Sequence, residues 1–172
     1  MKSELEKLYA AIESIETAMM TTRRADGHLR SRAMANQKKA DGADLWFVCR
    51  DGTAKLTDLK HDQHINLTYY REKTREWVSV SGTAIVSRDR AKVRELYAPD
   101  WKAWFPDEGD KRHGTPDDPR MVLIGVTVHG AEFLEVNKPR PVILFELVKG
   151  LMTGTEPDLG EMHELVEPRR PQ

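Results

Sequence analysis

Residues 75–86, REWVSVSGTAIV, read as one long strand in which β-branched residues dominate. Gly82 stands inside that run and lets it bend. A long strand that bends, set among shorter strands joined by short turns, folds into a small closed or half-open barrel rather than a flat sheet.

The neighbouring segments supply those strands. TAMMTTRR (17–24) and HLRSRAMANQ (28–37) flank the turn ADG as a hairpin. LWFVCR (45–50) is apolar and aromatic, and HINLTYYR (64–71) follows a short helix in which Leu56 and Leu59 share a face. RMVLIGVTV and AEFLEV read as two strands around a turn at His129 and Gly130. The count is about seven.

Helices lie around them. Ser3 and Glu6 form a capping box before Leu5, Leu8, Ile12 and Ile15, which recur at helical spacing as far as about Glu16. SRDRAKVRELYAPDWKAWFP reads as helical, broken near Pro99 and stopped by Pro106. DEGDKRHGTPDDP is a polar loop, where solvation accounts for Asp117 and Asp118. PVILFELVKGLMTG is a last helix, and EPRRPQ reads as disordered.

The expected class is mainly β with flanking helices (α+β): an antiparallel barrel of six or seven strands. The 172 residues suit one domain over 1–161 with N- and C-terminal helices, leaving 162–172 as a flexible tail.

Charge and cysteine content remove several function classes. The 27 basic and 28 acidic residues leave a net charge of -1, so no general attraction to nucleic acid or membrane is expected. Cys49 is the single cysteine, which rules out an internal disulfide and favours a reducing compartment. The charged N-terminus has no apolar core of a leader, and the expected location is cytoplasmic. The six histidines show no ligand spacing beyond His61 and His64, so no metal site is expected. Cys49 follows three apolar residues and reads as a buried, inert thiol. Glycine fingerprints for nucleotides and a nucleophile elbow are absent.

Three constellations remain. In CRDGTAKLTDL, a strand ends, Thr53 stands at an N-cap position and Lys55 falls in the first helical turn. A cation there opposes the helix dipole, and a bound anion would reverse the sign. A capped surface helix with a solvated lysine is the plainer reading of that stretch alone. In LRSRAMANQ, Arg30 and Arg32 share a face with Met34 and Asn36, and Ser31, Ala33 and Ala35 stand opposite. If this strand pairs beside LWFVCR, Arg32 lies near the start of the Lys55 helix, and two cations with a helix N-terminus make a phosphate site. Salt bridges on a wet sheet face are the alternative, better for Arg30 than for Arg32. The small residues suit a face that meets a crowded barrel interior. Trp101, Trp104 and Phe105 share one helical face, either as core or as a stacking surface for a flat ring. Trp77 shares its strand face with Ser79 and Ser81, a mixed face that suits a groove or interface.

Taken in order, LRSRAMANQ, DLWFVCRDGTAKLTDL, VSVSGTAIVSRDRAKVRELY, KAWFP and LMTGTEPDLGE resemble the pyridoxamine 5′-phosphate oxidase-like superfamily, and within it the general stress protein group. The resemblance spans roughly residues 10 to 161. It implies an FMN-binding split barrel, a homodimer, and flavin sites between the subunits, with FAD a lesser candidate. By position it makes Arg32 the phosphate arginine, Thr53 the hydroxyl donor and Lys55 the phosphate lysine. Met34, Val48 and Cys49 would line the flavin, partly by main chain. Trp77 replaces a glutamine that reaches the flavin in the oxidases, and Trp104 would cover the ring. Ala54 and Gln37 stand where the oxidases carry basic residues, which lowers the positive charge around the cofactor.

The resemblance implies an FMN-dependent oxidoreductase of unassigned substrate, or a flavin-binding module without turnover. A true pyridoxamine 5′-phosphate oxidase is the next reading. PDLGEMHELVEPRRPQ lacks the tryptophan, arginine and histidine pattern of those enzymes, which argues against it. A haem or deazaflavin barrel is a third, and the scattered histidines do not support haem.

Overall fold

The structure is a computed structural model that describes residues 3–166. In chain order it comprises α1 (Glu4–Ile15), β1 (Thr17–Arg23), β2 (Leu29–Ala35), β3 (Leu45–Arg50), α2 (Ala54–His61), β4 (His64–Tyr70), β5 (Trp77–Ser87) and α3 (Arg90–Leu96). A 3-10 helix over Pro99–Trp104, β6 (Met121–Glu135), α4 (Arg140–Thr153) and β7 (Glu161–Val166) complete it.

The strands form one antiparallel sheet in the order β2-β1-β4-β5-β6-β3, with β7 added to β6. The sheet curls until its ends meet without joining. β2 and β3 share no ladder, and the backbone bond from Gln37 N–H to the Trp46 carbonyl (2.8 Å) spans the gap just beyond β2. The barrel is therefore split, and β2 is not hydrogen-bonded beside LWFVCR as the sequence suggests.

Inside the curl, Ala18, Met20, Leu67, Tyr69, Val78, Val80 and Ile124 are buried, and α1 closes one end with Leu8 and Ile12. A second cluster lies outside β3 and the first half of β6. There Trp46 and Leu123 pack against Val93, Leu96, Trp101 and Phe105. Both faces of these strands are thus covered, which explains why LWFVCR and MVLIGV are apolar without alternation.

Four details differ from the sequence expectation. His129 and Gly130 do not turn the chain. β6 runs straight through them as a 15-residue strand, and the β5–β6 register slips between Ser81 and Gly82, leaving His129 as an extra residue in a bulge. The seventh strand is instead β7, nearly all inside the segment read as tail: Glu161–Val166 pair in register with Gly130–Glu135, with His163 and Leu165 on the half-buried face. The segment EPRRPQ lies outside the described residues. On β2, the arginine face points inward with buried Met34, and Ser31, Ala33 and Ala35 are exposed, because the hairpin register fixes which face meets the core. In the polar loop, Asp118 is buried and held by two contacts from Arg120, which keep its carboxyl well below the usual range.

Gly82 lies opposite the β6 bulge, where the two strands approach too closely for a side chain. A Cβ there would stand against the Thr127 carbonyl oxygen and 3.2 Å from Val126 Cγ1. Backbone cannot yield as a flexible side chain does, so Gly82→Ala is expected to cost about 1–3 kcal/mol. Urea denaturation should show a lower midpoint, and an unchanged midpoint would mean the two strands separate easily at the bulge.

Candidate functional site

The split between the two sheet ends is a cleft of about 510 Å³. That lies within the range of small-molecule and cofactor sites, roughly 300–1,000 Å³. One wall is Ala33, Met34 and Ala35 of β2 with Gln37 beyond it. The opposite wall is Val48, Cys49 and Arg50 of β3. Three consecutive residues of each strand line it, although successive side chains point to opposite faces. A cleft can touch all three only along the strand edge. β2 is laddered on one side by β1, and β3 on one side by β6, so the edges facing the cleft carry main-chain groups without ladder partners.

The floor is the start of α2. Gly52 takes a left-handed turn (φ +74°) and Thr53 occupies the N-cap position. Ser3 and Asp89 cap their own helices with side-chain hydrogen bonds, and Thr53 does not. Its buried Oγ1 makes no hydrogen bond of ordinary geometry and has only the weak Cys49 thiol beside it. Such a hydroxyl is costly unless something else completes it. Lys55, half-buried in the first turn, makes no ion pair or hydrogen bond among the described residues. Cys49 is close by. Burial pushes its thiol up, and the Lys55 ammonium pulls the other way without prevailing, so the thiol stays protonated near neutrality.

The roof is the 3-10 helix. Trp101, Trp104 and Phe105 all reach the cleft but do not share one environment. Trp101 and Phe105 are buried in the second cluster, whereas Trp104 is 78% exposed at the rim. The segment is a short 3-10 helix that ends at Trp104, with extended backbone at Phe105, and not an α-helix whose i, i+3 and i+4 positions would share a face. Trp101 Nε1 donates to Gln37 Oε1 at 2.7 Å, and Gln37 Nε2 donates to the Ala35 carbonyl at 3.0 Å. Gln37 is therefore fixed against β2.

Of the residues expected at the site, Met34, Gln37, Val48, Cys49, Thr53, Lys55 and Trp104 line this cleft. Arg32 does not. Its guanidinium donates to Thr22 Oγ1 (2.7 Å) and to Asp58 Oδ2 of α2 (3.3 Å), beneath the cleft wall. Thr22 Oγ1 also donates to Asp58 Oδ2 at 2.8 Å, and Arg30 Nε lies 3.5 Å from the same oxygen. Trp77 is also outside, half-buried on the outer face of β5. Thr17, Ala33, Ala35, Arg50 and Asp100 also line it without any sequence signal for that role, and Trp101 and Phe105 are at once core and cleft lining. The alanines carried no side-chain signal because the cleft meets their backbone.

Comparisons with known proteins agree with this architecture. A family model described as "pyridoxamine 5'-phosphate oxidase like" matches residues 3–158. Protein bli-3 of Neurospora crassa is 36% identical over 167 residues, covering 95% of this chain and 80% of that protein. A general stress protein 26 from Jannaschia sp. superposes with a TM-score of 0.71 at 21% identity, covering 95% of this chain and 98% of the other. The general stress FMN/FAD binding protein of Xanthomonas citri gives 0.61 at 25% identity, covering 77% and 89% respectively.

Proposed function

Because the chain belongs to the pyridoxamine 5′-phosphate oxidase-like family, we propose that it binds FMN in the cleft between β2 and β3. The observation that carries this is the floor of the cleft. A buried hydroxyl with only a thiol beside it (Thr53), an unpaired half-buried ammonium (Lys55) and the free N–H groups at the start of α2 meet at one end of the cleft. That set fits a phosphate monoester. The slot above it, edged by main chain and bounded by Met34, Val48 and Trp101, fits a planar heteroaromatic ring, with Trp104 at the rim to cover it. The relative from Xanthomonas citri is named for FMN or FAD binding, which supports a flavin. A terminal phosphate favours FMN over FAD, whose diphosphate would have to pass the α2 N-terminus.

Arg32 takes a supporting part in this reading. It fixes α2 through Asp58, so that Thr53 and Lys55 are presented at a constant position. When bound, the flavin supplies the redox chemistry. Among the described residues, the side chains lining the cleft include no histidine, and Asp100 is their only carboxylate. The protein's share is binding, orientation and exclusion of water, and an oxidoreductase role depends on a partner substrate reaching the open rim.

The proposal includes a homodimer. Met19, Tyr70 and Ile85 are exposed on the outer face of the sheet, in the same face as Trp77, and leave apolar surface that a second copy can cover. Trp77 cannot serve its own chain's cleft, so a role beside the flavin requires the partner's cleft. The test is the absorption spectrum of the purified protein, with FMN titration if it is colourless, and light scattering on the same sample. Flavin bands at one equivalent per chain and twice the mass of one chain are expected. Failure of both FMN and FAD to bind at about 100 µM would overturn the cofactor assignment, since specific small-ligand sites hold micromolar affinities readily.

A further inference from the structure

A second group of side chains lies at the far end of β6, where β7 pairs along the same edge that β3 occupies at the other end and α1 packs against both. His163 projects from β7 with its side chain only 10% exposed, and its ring stacks on Phe133 of β6 at 4.7 Å between centroids. Glu161 is two residues away on the same strand face, and Glu135 is its direct partner in the β6–β7 ladder. The strand period and the register together bring one imidazole and two carboxylates to a single point. The ligand atoms of His163, Glu135 and Glu161 all lie within 4.8 Å of one another.

We propose that this cluster is a binding site for a divalent transition-metal ion of the zinc class, with His163 Nε2, Glu135 and Glu161 as protein ligands. Nε2 is buried and has no hydrogen-bond partner. Glu135 Oε2 stands 3.3 Å from it and Glu161 Oε2 3.8 Å from it. The first pair is within reach yet misaligned, and the second is beyond hydrogen-bond range. Misalignment suits neighbouring metal ligands. With bonds of about 2.1 Å, two ligands of a tetrahedral ion stand about 3.4 Å apart and off each other's axis. The two observed separations bracket that edge.

The surroundings agree. His163 Nδ1 lies 2.5 Å from Glu4 Oε2 of α1. A carboxylate on Nδ1 holds the proton there and leaves the Nε2 lone pair for a metal, the usual backing of a metal-bound histidine. Glu4, Glu135 and Glu161 bring three negative charges. Among the described residues Lys7 is the only cation on them, 3.3 Å from Glu4 and 3.5 Å from Glu135. Three minus one leaves two, the charge of the ion. Glu161 is 62% exposed, so the fourth position opens to water. The ion would clasp the first helix, the sixth strand and the last strand, away from the flavin cleft.

The experiment is calorimetric titration of the untagged full chain with zinc chloride, alongside cobalt(II) absorption. One zinc per chain, a tetrahedral cobalt spectrum and a raised melting temperature are expected. Glu161→Gln, on an exposed and nearly isosteric position, should weaken zinc at least tenfold without unfolding the chain. Glu4→Gln should weaken it about 10- to 100-fold, as loss of an outer partner does. His163→Ala should abolish it. No saturable uptake of either ion at millimolar concentration, or equal uptake by Glu161→Gln, would overturn the site and leave the cluster as a network of ion pairs.

Discussion

Lys55→Ala is expected to weaken FMN about 10- to 100-fold while changing riboflavin affinity by less than about threefold. A hydrogen bond to a charged group is worth about 1.5–3 kcal/mol, and each 1.4 kcal/mol is a factor of ten. The selectivity follows from position. Lys55 stands at the first turn of α2 beside the buried Thr53 hydroxyl, at the end of the cleft assigned to the phosphate. Riboflavin lacks that phosphate and keeps only the ring and ribityl contacts. Titration of both ligands by flavin fluorescence separates the cases. The gap between them should narrow as salt is raised, because Lys55 is only half-buried. Equal losses for the two ligands would place the phosphate elsewhere.

Arg32→Ala is expected to act mainly on the fold, with a loss of about 3 kcal/mol. Asp58 is 4% exposed, and Arg32 is the arginine that hydrogen-bonds it. Removing one partner of a buried pair leaves the other charge uncompensated, typically at about 3–5 kcal/mol. Thr22 and the more distant Arg30 remain near Asp58 and keep the cost at the lower end. For a chain of this size the melting temperature should fall by roughly 6–12 °C. Arg32→Ala with Asp58→Ala should cost less than the sum of the two, since the second change removes the orphaned charge. FMN and riboflavin should weaken together, because Arg32 reaches the cleft only through α2. A loss confined to FMN, with the melting temperature unchanged, would put the guanidinium on the phosphate directly.

Much of this was legible in the chain. The capping box at Ser3 and the strand LWFVCR each carry a local signal, and each stands where that signal puts it. The cleft residues Thr53 and Lys55 were legible for the same reason: their chemistry depends on a helix start encoded within a few residues. What escaped depends on distant partners. Arg32 could not be assigned to Asp58 from sequence, since the pair is 26 positions apart and joined by the hairpin register. β7 escaped because its inward face carries only His163 and Leu165, both half-buried, which is too little apolar alternation to read as a strand. With it went His163, whose neighbours Glu4 and Glu135 come from the first helix and from β6.

The walls of the cleft are two strand edges, so much of what a ligand meets there is peptide group. Peptide groups are the same whatever residue bears them. A recognition surface made this way tolerates exchange of its side chains, provided the two edges keep their spacing. Ala33 and Ala35 could become serine, or Val48 isoleucine, with the hydrogen-bonding array intact. Sequences built on such a slot can diverge widely in the residues that line it and still bind one kind of ring. Selection would then act on the depth and floor of the slot, where Thr53 and Lys55 stand, more than on its sides.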